Sequence, residues 1–209
     1  MIALDHIAVT APQLELGIKH VLDQTGLTLP KGGQHVQMAT HNALCRFSDD
    51  TYFEIITPDQ AANPPTRPRW FDLDTVSRPG LSAWILRTDD IDRCIALAAE
   101  MGIDLGSATP FKRDALRWQF SLRDDGSIPL RGAAPLIIQW QGNDAHPAGN
   151  MADLGVGLKQ LQIATPEHGQ LRALLERLGM ENLPEIIHGD RVKITATLTL
   201  ADGREAILT

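Results

Sequence analysis

The feature that most restricts how this chain can fold is a segment that recurs three times at an even step. Leu4-Asp-His-Ile-Ala-Val-Thr10, Leu81-Ser-Ala-Trp-Ile-Leu-Arg-Thr88 and Leu158-Lys-Gln-Leu-Gln-Ile-Ala-Thr165 begin at residues 4, 81 and 158. Each strand-like stretch is followed by apolar residues at helical spacing. These are Leu14, Ile18, Val21 and Leu22; Ile91, Ile95, Leu97 and Ala98; and Leu171, Leu174, Leu175 and Leu178. Pro12, Asp89 and Pro166 suit the helix starts, and Gly26, Gly102 and Gly179 suit the ends. Such repeats are supersecondary units that bury their apolar faces against one another.

Further β signals follow each helix. The first copy has His41–Phe47, a polar turn at Ser48–Asp50, and Thr51–Thr57. The second has Leu116–Leu122 and Pro135–Trp140; the third has Val192–Leu200 and Ala206–Thr209, joined by the hairpin dipeptide Asp202-Gly203. The chain is thus predicted to be α+β, with tandem βαβββ modules and a third, partial βαββ module. The boundaries are 1–58 for the first module, 59–78 for a Pro-rich linker, 79–148 for the second and 149–209 for the third. Trp70 and Phe71 in the linker imply that part of it packs. Gly32-Gly33 reads as a turn, too short to cradle a phosphate.

The net charge of −7 and the lack of a Lys/Arg cluster longer than Lys112-Arg113 argue against nucleic acid and anionic membranes as partners. No apolar run approaches the length of a membrane span. Cys45 and Cys94 show no metal-type spacing and read as reduced core thiols, so a cytoplasmic location is expected.

The first copy resembles glyoxalase-like members of the vicinal oxygen chelate superfamily. Leu4-Asp-His6-Ile, Gly32-Gly-Gln-His35, Thr40-His-Asn42-Ala-Leu and Tyr52-Phe-Glu54-Ile-Ile carry the likeness. Pro135-Leu-Ile-Ile-Gln139-Trp140, with His146-Pro147 downstream, extends it into the second copy, so it covers about residues 2–148. The resemblance implies two modules curled into a half-open sheet around a small-molecule site. It also implies a divalent metal (Zn, Mn, Fe or Ni) held by one ligand on the first and one on the last strand of each module.

Strand parity tests this expectation, because alternate side chains face opposite sides of a sheet. With Ile7 and Val9 under the helix, His6 faces the concave side, and with Phe53 and Ile55 covered, so does Glu54. An imidazole and a carboxylate are apt ligands. At the repeat step, however, His6 corresponds to Ala83 and Gln160, and the place of Glu54 is taken by Gln139 and Ala206. The metal set would therefore be His6, Glu54 and Gln139. His35 is an alternative third ligand or, with Glu54, a catalytic acid–base group. Asn42, His41 and Arg46 are candidates for substrate contact, and Trp84 and Trp140 are assigned to the core.

Two functions stay open: a glyoxalase-like enzyme of lyase, isomerase or dioxygenase type, acting through a metal or through Glu54 as base, and a metal-free binding protein for a small molecule. Three modules in a fold that uses them in pairs also predict either a homodimer through the third copies or a third copy that caps its own chain.

Overall fold

The computed structural model describes residues 1–142 and 145–209. The first module comprises β1 (Ile2–Thr10), α1 (Leu14–Thr25), β2 (Lys31–His35), β3 (Thr40–Arg46) and β4 (Tyr52–Pro58). The second comprises β5 (Gly80–Thr88), α2 (Ile91–Glu100), β6 (Ser107–Arg113), β7 (Leu116–Leu122) and β8 (Leu136–Gln141). Together they build one eight-stranded sheet in the order β2-β3-β4-β1-β5-β8-β7-β6. In each module the first strand pairs in parallel with the last, and β1 and β5 meet antiparallel at the seam. The expected tandem, curled architecture is therefore present.

The helices start and stop for local reasons. Asp90, one residue later than expected, caps α2 by accepting from the Arg93 backbone N–H at 3.0 Å. Gly26 closes α1 at φ 79, a left-handed conformation that glycine takes without strain. Leu14 and Val21 of α1 and Ile91, Cys94 and Ala98 of α2 are buried against the convex face of the sheet.

The third module holds one strand more than expected. It runs β9 (Gly157–Thr165), α3 (His168–Leu178), β10 (Glu185–His188), β11 (Lys193–Thr199) and β12 (Glu205–Leu208), ordered β10-β9-β11-β12. Its apolar face (Leu161, Ile163, Ile194, Leu198 and Leu208) shares one core with Ile7, Val9 and Trp84 of the first two modules. Within this chain, then, the third copy caps the convex side of the larger sheet.

Residues 59–78, read as a linker that packs in part, form a strap across the concave side. Trp70, Phe71 and Leu73 are buried there with Ile85, Phe120 and Ile138. The strap is tied to the first module by Arg69 Nε donating to Ala39 O, and to the second by Ile128 N donating to the Asp72 carboxylate. Phe71 and Asp72 both take positive φ, 60 and 55, a strained bend that places the two aromatic rings inward. Gly32-Gly33 lies in edge strand β2 rather than in a turn.

Candidate functional site

A bulge builds the floor of the site. Pairing of β1 with β5 slips between Leu4 and His6, which leaves Asp5 as the extra residue. In a regular strand Asp5 and His6 would point to opposite faces; a bulge re-aims side chains. Here it joins both to one buried network. Asp5 is fully buried, and its Oδ1 lies 2.6 Å from His6 Nδ1. Its Oδ2 accepts from Trp140 Nε1 at 2.8 Å and lies 2.9 Å from His146 Nε2.

Glu54 comes to the same place by pairing, since Ala8 of β1 lies opposite it. Glu54 Oε2 is 3.5 Å from His6 Nε2, and Oε1 accepts from Asn42 Nδ2 at 2.7 Å. Asn42 Oδ1 in turn accepts from Gly33 N at 2.9 Å. A Cβ on Gly32 would stand 2.3 Å from that Oδ1, so only glycine lets β2 lie this close. Tyr52 stacks on the His6 ring at 4.2 Å between centroids.

Charge follows from this geometry. Burial alone would lower the His6 pKa, but hydrogen bonds to Asp5 and Glu54 outweigh it and raise the pKa to about 9. Burial opposes ionisation of Asp5 and Glu54 as well. His146 and His6 nevertheless hold Asp5 well below the usual carboxylate range, and His6 holds Glu54 below its ordinary value. The floor is thus an imidazolium between two carboxylates.

His35 also lines the cavity, with Nδ1 3.2 Å from Thr40 Oγ1 and Nε2 3.5 Å from the Arg113 guanidinium. Burial, only partly offset by Glu54, lowers its pKa to about 4, so it is neutral at pH 7. Trp70 and Trp118 meet its ring edge-on. The remaining cavity, about 40 Å³, is lined by His6, His35, Asn42, Glu54 and Arg113 among an aromatic wall. That is room for about three water-sized positions.

His6, Glu54, His35 and Asn42 are therefore brought together. Gln139 is not: its side-chain oxygen accepts from Ile91 N at 2.9 Å, at the start of α2. The reason is register. Ile85 pairs with Leu136, and both lie in the concave cluster, so Ile138 and Trp140 face the cavity and Gln139 the helix. Trp140, assigned to the core, is thus part of the cavity wall. His41 alternates with Asn42 and does not line the cavity. Arg46 is held at the surface by Asp49 and Asp153. Sequence reasoning missed Asp5, His146, Tyr52, Trp70 and Arg113. Only the Asp5-His6 pair and His146-Pro147 offered a local signal.

A profile of the glyoxalase-like domain family matches residues 4–179. The chain belongs to the glyoxalase-like domain family. No curated protein sequence matches it. Among solved structures it is similar to a hypothetical protein from Staphylococcus aureus, at 15% identity and TM-score 0.59, covering 98% of this chain and 84% of that one. This likeness shows the fold. More distant are methylmalonyl-CoA epimerase from Mycobacterium tuberculosis, with 19% identity, TM-score 0.41 and coverage of 68% and 88%, and a 4-hydroxymandelate synthase variant from Streptomyces coelicolor, with 18%, 0.44, and 73% and 53%.

The divalent metal that the glyoxalase-like resemblance implies does not fit these residues. His6 Nε2 and Glu54 are a suitable pair, and Asp5 behind His6 is the kind of carboxylate that orients a ligating imidazole. A durable site needs a third protein ligand. The second module offers Ala83, Ile85, Leu136 and Ile138 to the concave side, and His35 Nε2 abuts a guanidinium. Among the described residues, no group of three His, Cys, Asp or Glu side chains is placed to hold a metal ion.

Proposed function

We propose that this glyoxalase-like protein is a small-molecule enzyme of isomerase or lyase type that moves a proton at a substrate carbon without a metal, with Glu54 as general base. One observation carries the reading: a buried, ionised carboxylate, steadied by Asn42 and His6, lines a small cavity walled largely by aromatic side chains. In such surroundings a positioned carboxylate can take a proton from a carbon next to a carbonyl. The C–H electron pair then moves into an enolate, and the proton returns to the same or a neighbouring carbon. His6 keeps Glu54 ionised despite its burial. His35, neutral and lining the same cavity, is the second proton-handling group. The buried free thiols Cys45 and Cys94 fit a reducing compartment such as the cytoplasm.

The test is solvent deuterium exchange, followed by proton NMR, over a panel of short 2-oxo and 2-hydroxy carbonyl compounds with chelator-treated protein. Wild type is expected to exchange at least one of them, and Glu54→Gln to slow that exchange about 100-fold or more. Exchange by Glu54→Gln at the wild-type rate, or exchange only after adding a divalent metal, would overturn the proposal. A metal-free binding role is the second reading, favoured by the apolar second-module wall. It predicts ligand-induced stabilisation without exchange.

A further inference from the structure

We propose that Arg113 receives the anionic oxygens of the substrate, which makes the substrate a short organic anion bearing a carboxylate or phosphate. The assignment rests on the reading of the cavity as a substrate site. One donor that lines this cavity, Arg113, lacks the acceptor its chemistry calls for. Arg113, half-buried, makes its one side-chain hydrogen bond to neutral His35, and no carboxylate pairs with it among the described residues. A partly buried guanidinium without a carboxylate partner is a ready receptor for a ligand oxyanion.

The backbone is shaped around this arginine. A Cβ on Gly33 would stand 3.1 Å from an Arg113 guanidinium nitrogen, so β2 leaves the side chain room to lie across it toward His35. Arg113 also belongs to the wall of a wider groove outside, along with Lys31, Lys112 and Arg117, and Asp114 is the acid among its lining residues. In a chain of net charge −7, this local positive rim draws anions toward the mouth. Inside, ionised Glu54 repels an anionic head. The charge gradient therefore orients the substrate, with its anionic group at Arg113 and its reacting carbon toward Glu54. The small cavity limits what enters beyond the head to a few heavy atoms.

Isothermal titration with malonate and with inorganic phosphate, on wild type and variants, tests this without requiring turnover. Both probes are small oxyanions; binding of one and not the other assigns the head as carboxylate or phosphate. Arg113→Met is expected to weaken binding about ten-fold or more, as for loss of a charge-assisted contact. Arg113→Lys should retain part of it. Arg93→Met on α2, an equal change in net charge on the other side of the sheet, should leave it unchanged. Melting curves confirm that each variant is folded. The proposal is overturned if neither probe binds wild type, if Arg113→Met binds like wild type, or if Arg93→Met weakens binding as much. Failure here with Glu54-dependent exchange intact would remove the anion assignment alone. Binding without exchange would remove the base and keep the assignment.

Discussion

Asp5 and His146 are 141 residues apart in sequence, yet His146 Nε2 lies 2.9 Å from the Asp5 carboxylate, which is wholly buried. This contact ties the first strand of the first module to the segment that follows the second, and Asp5 has His6 and Trp140 as further partners. Asp5→Ala would strip buried His6 and half-buried Trp140 and His146 of their acceptor, and should cost about 3–5 kcal/mol in urea unfolding. Asp5→Asn keeps the shape and removes the charge, so burial regains weight and the His6 pKa should fall by about a unit or more. NMR titration of the His6 ring checks this; a value unchanged at about 9 would contradict the network.

The same groups set a pH profile. The folded-state pKa of His6, about 9, lies above its ordinary 6.5, so its contribution is complete below about pH 6.5 and is lost as pH rises through about 9. At about 1.4 kcal/mol per unit, that loss is about 3 kcal/mol. His35, lowered to about 4, works in the other direction: the unfolded chain takes up its proton first, so stability falls as pH drops from about 6.5 to about 4. Asp5 and Glu54, both lowered, add to the loss at still lower pH. Urea midpoints measured from pH 4 to pH 10 should therefore peak near pH 6.5, and His6→Gln should flatten the alkaline side.

Gly32→Ala should damage the site without touching a charged group. The new methyl group would meet Asn42 Oδ1, displacing the amide that holds Glu54. A stability cost of about 1–3 kcal/mol is expected, together with slower deuterium exchange. An unchanged exchange rate would show that Asn42 does not position Glu54.

Gln139→Ala separates the site from its surroundings. Its side chain satisfies a backbone N–H at the start of α2, so a loss of about 1 kcal/mol is expected, with exchange and anion binding intact. A large loss of either activity would restore Gln139 to the site.

Much of this was legible locally. The helices follow from apolar spacing and closing glycines, and the hairpins from alternation around polar turns. His6 and Glu54 are cavity residues because Ile7, Val9, Phe53 and Ile55 fix the parity of their strands. Gln139 shows where parity fails. Its strand, Leu136–Gln141, is apolar on both faces at its start, so nothing in it says which side faces the helix. That part of the Pro-rich strap packs was legible in Trp70 and Phe71, but where it packs was not, because the concave surface that buries them is made by distant strands.

By itself, then, the sequence determined the repeated module, the sheet it builds, and one imidazole–carboxylate pair in the first copy, because periodicity acts over neighbouring residues. Tertiary structure alone decided that Asp5 turns inward at a bulge, that His146, Trp70 and Arg113 close around that pair, and that Gln139 turns away. Each depends on cross-strand register or on contact between segments far apart in the chain, and a slip of one residue exchanges the two faces of a strand.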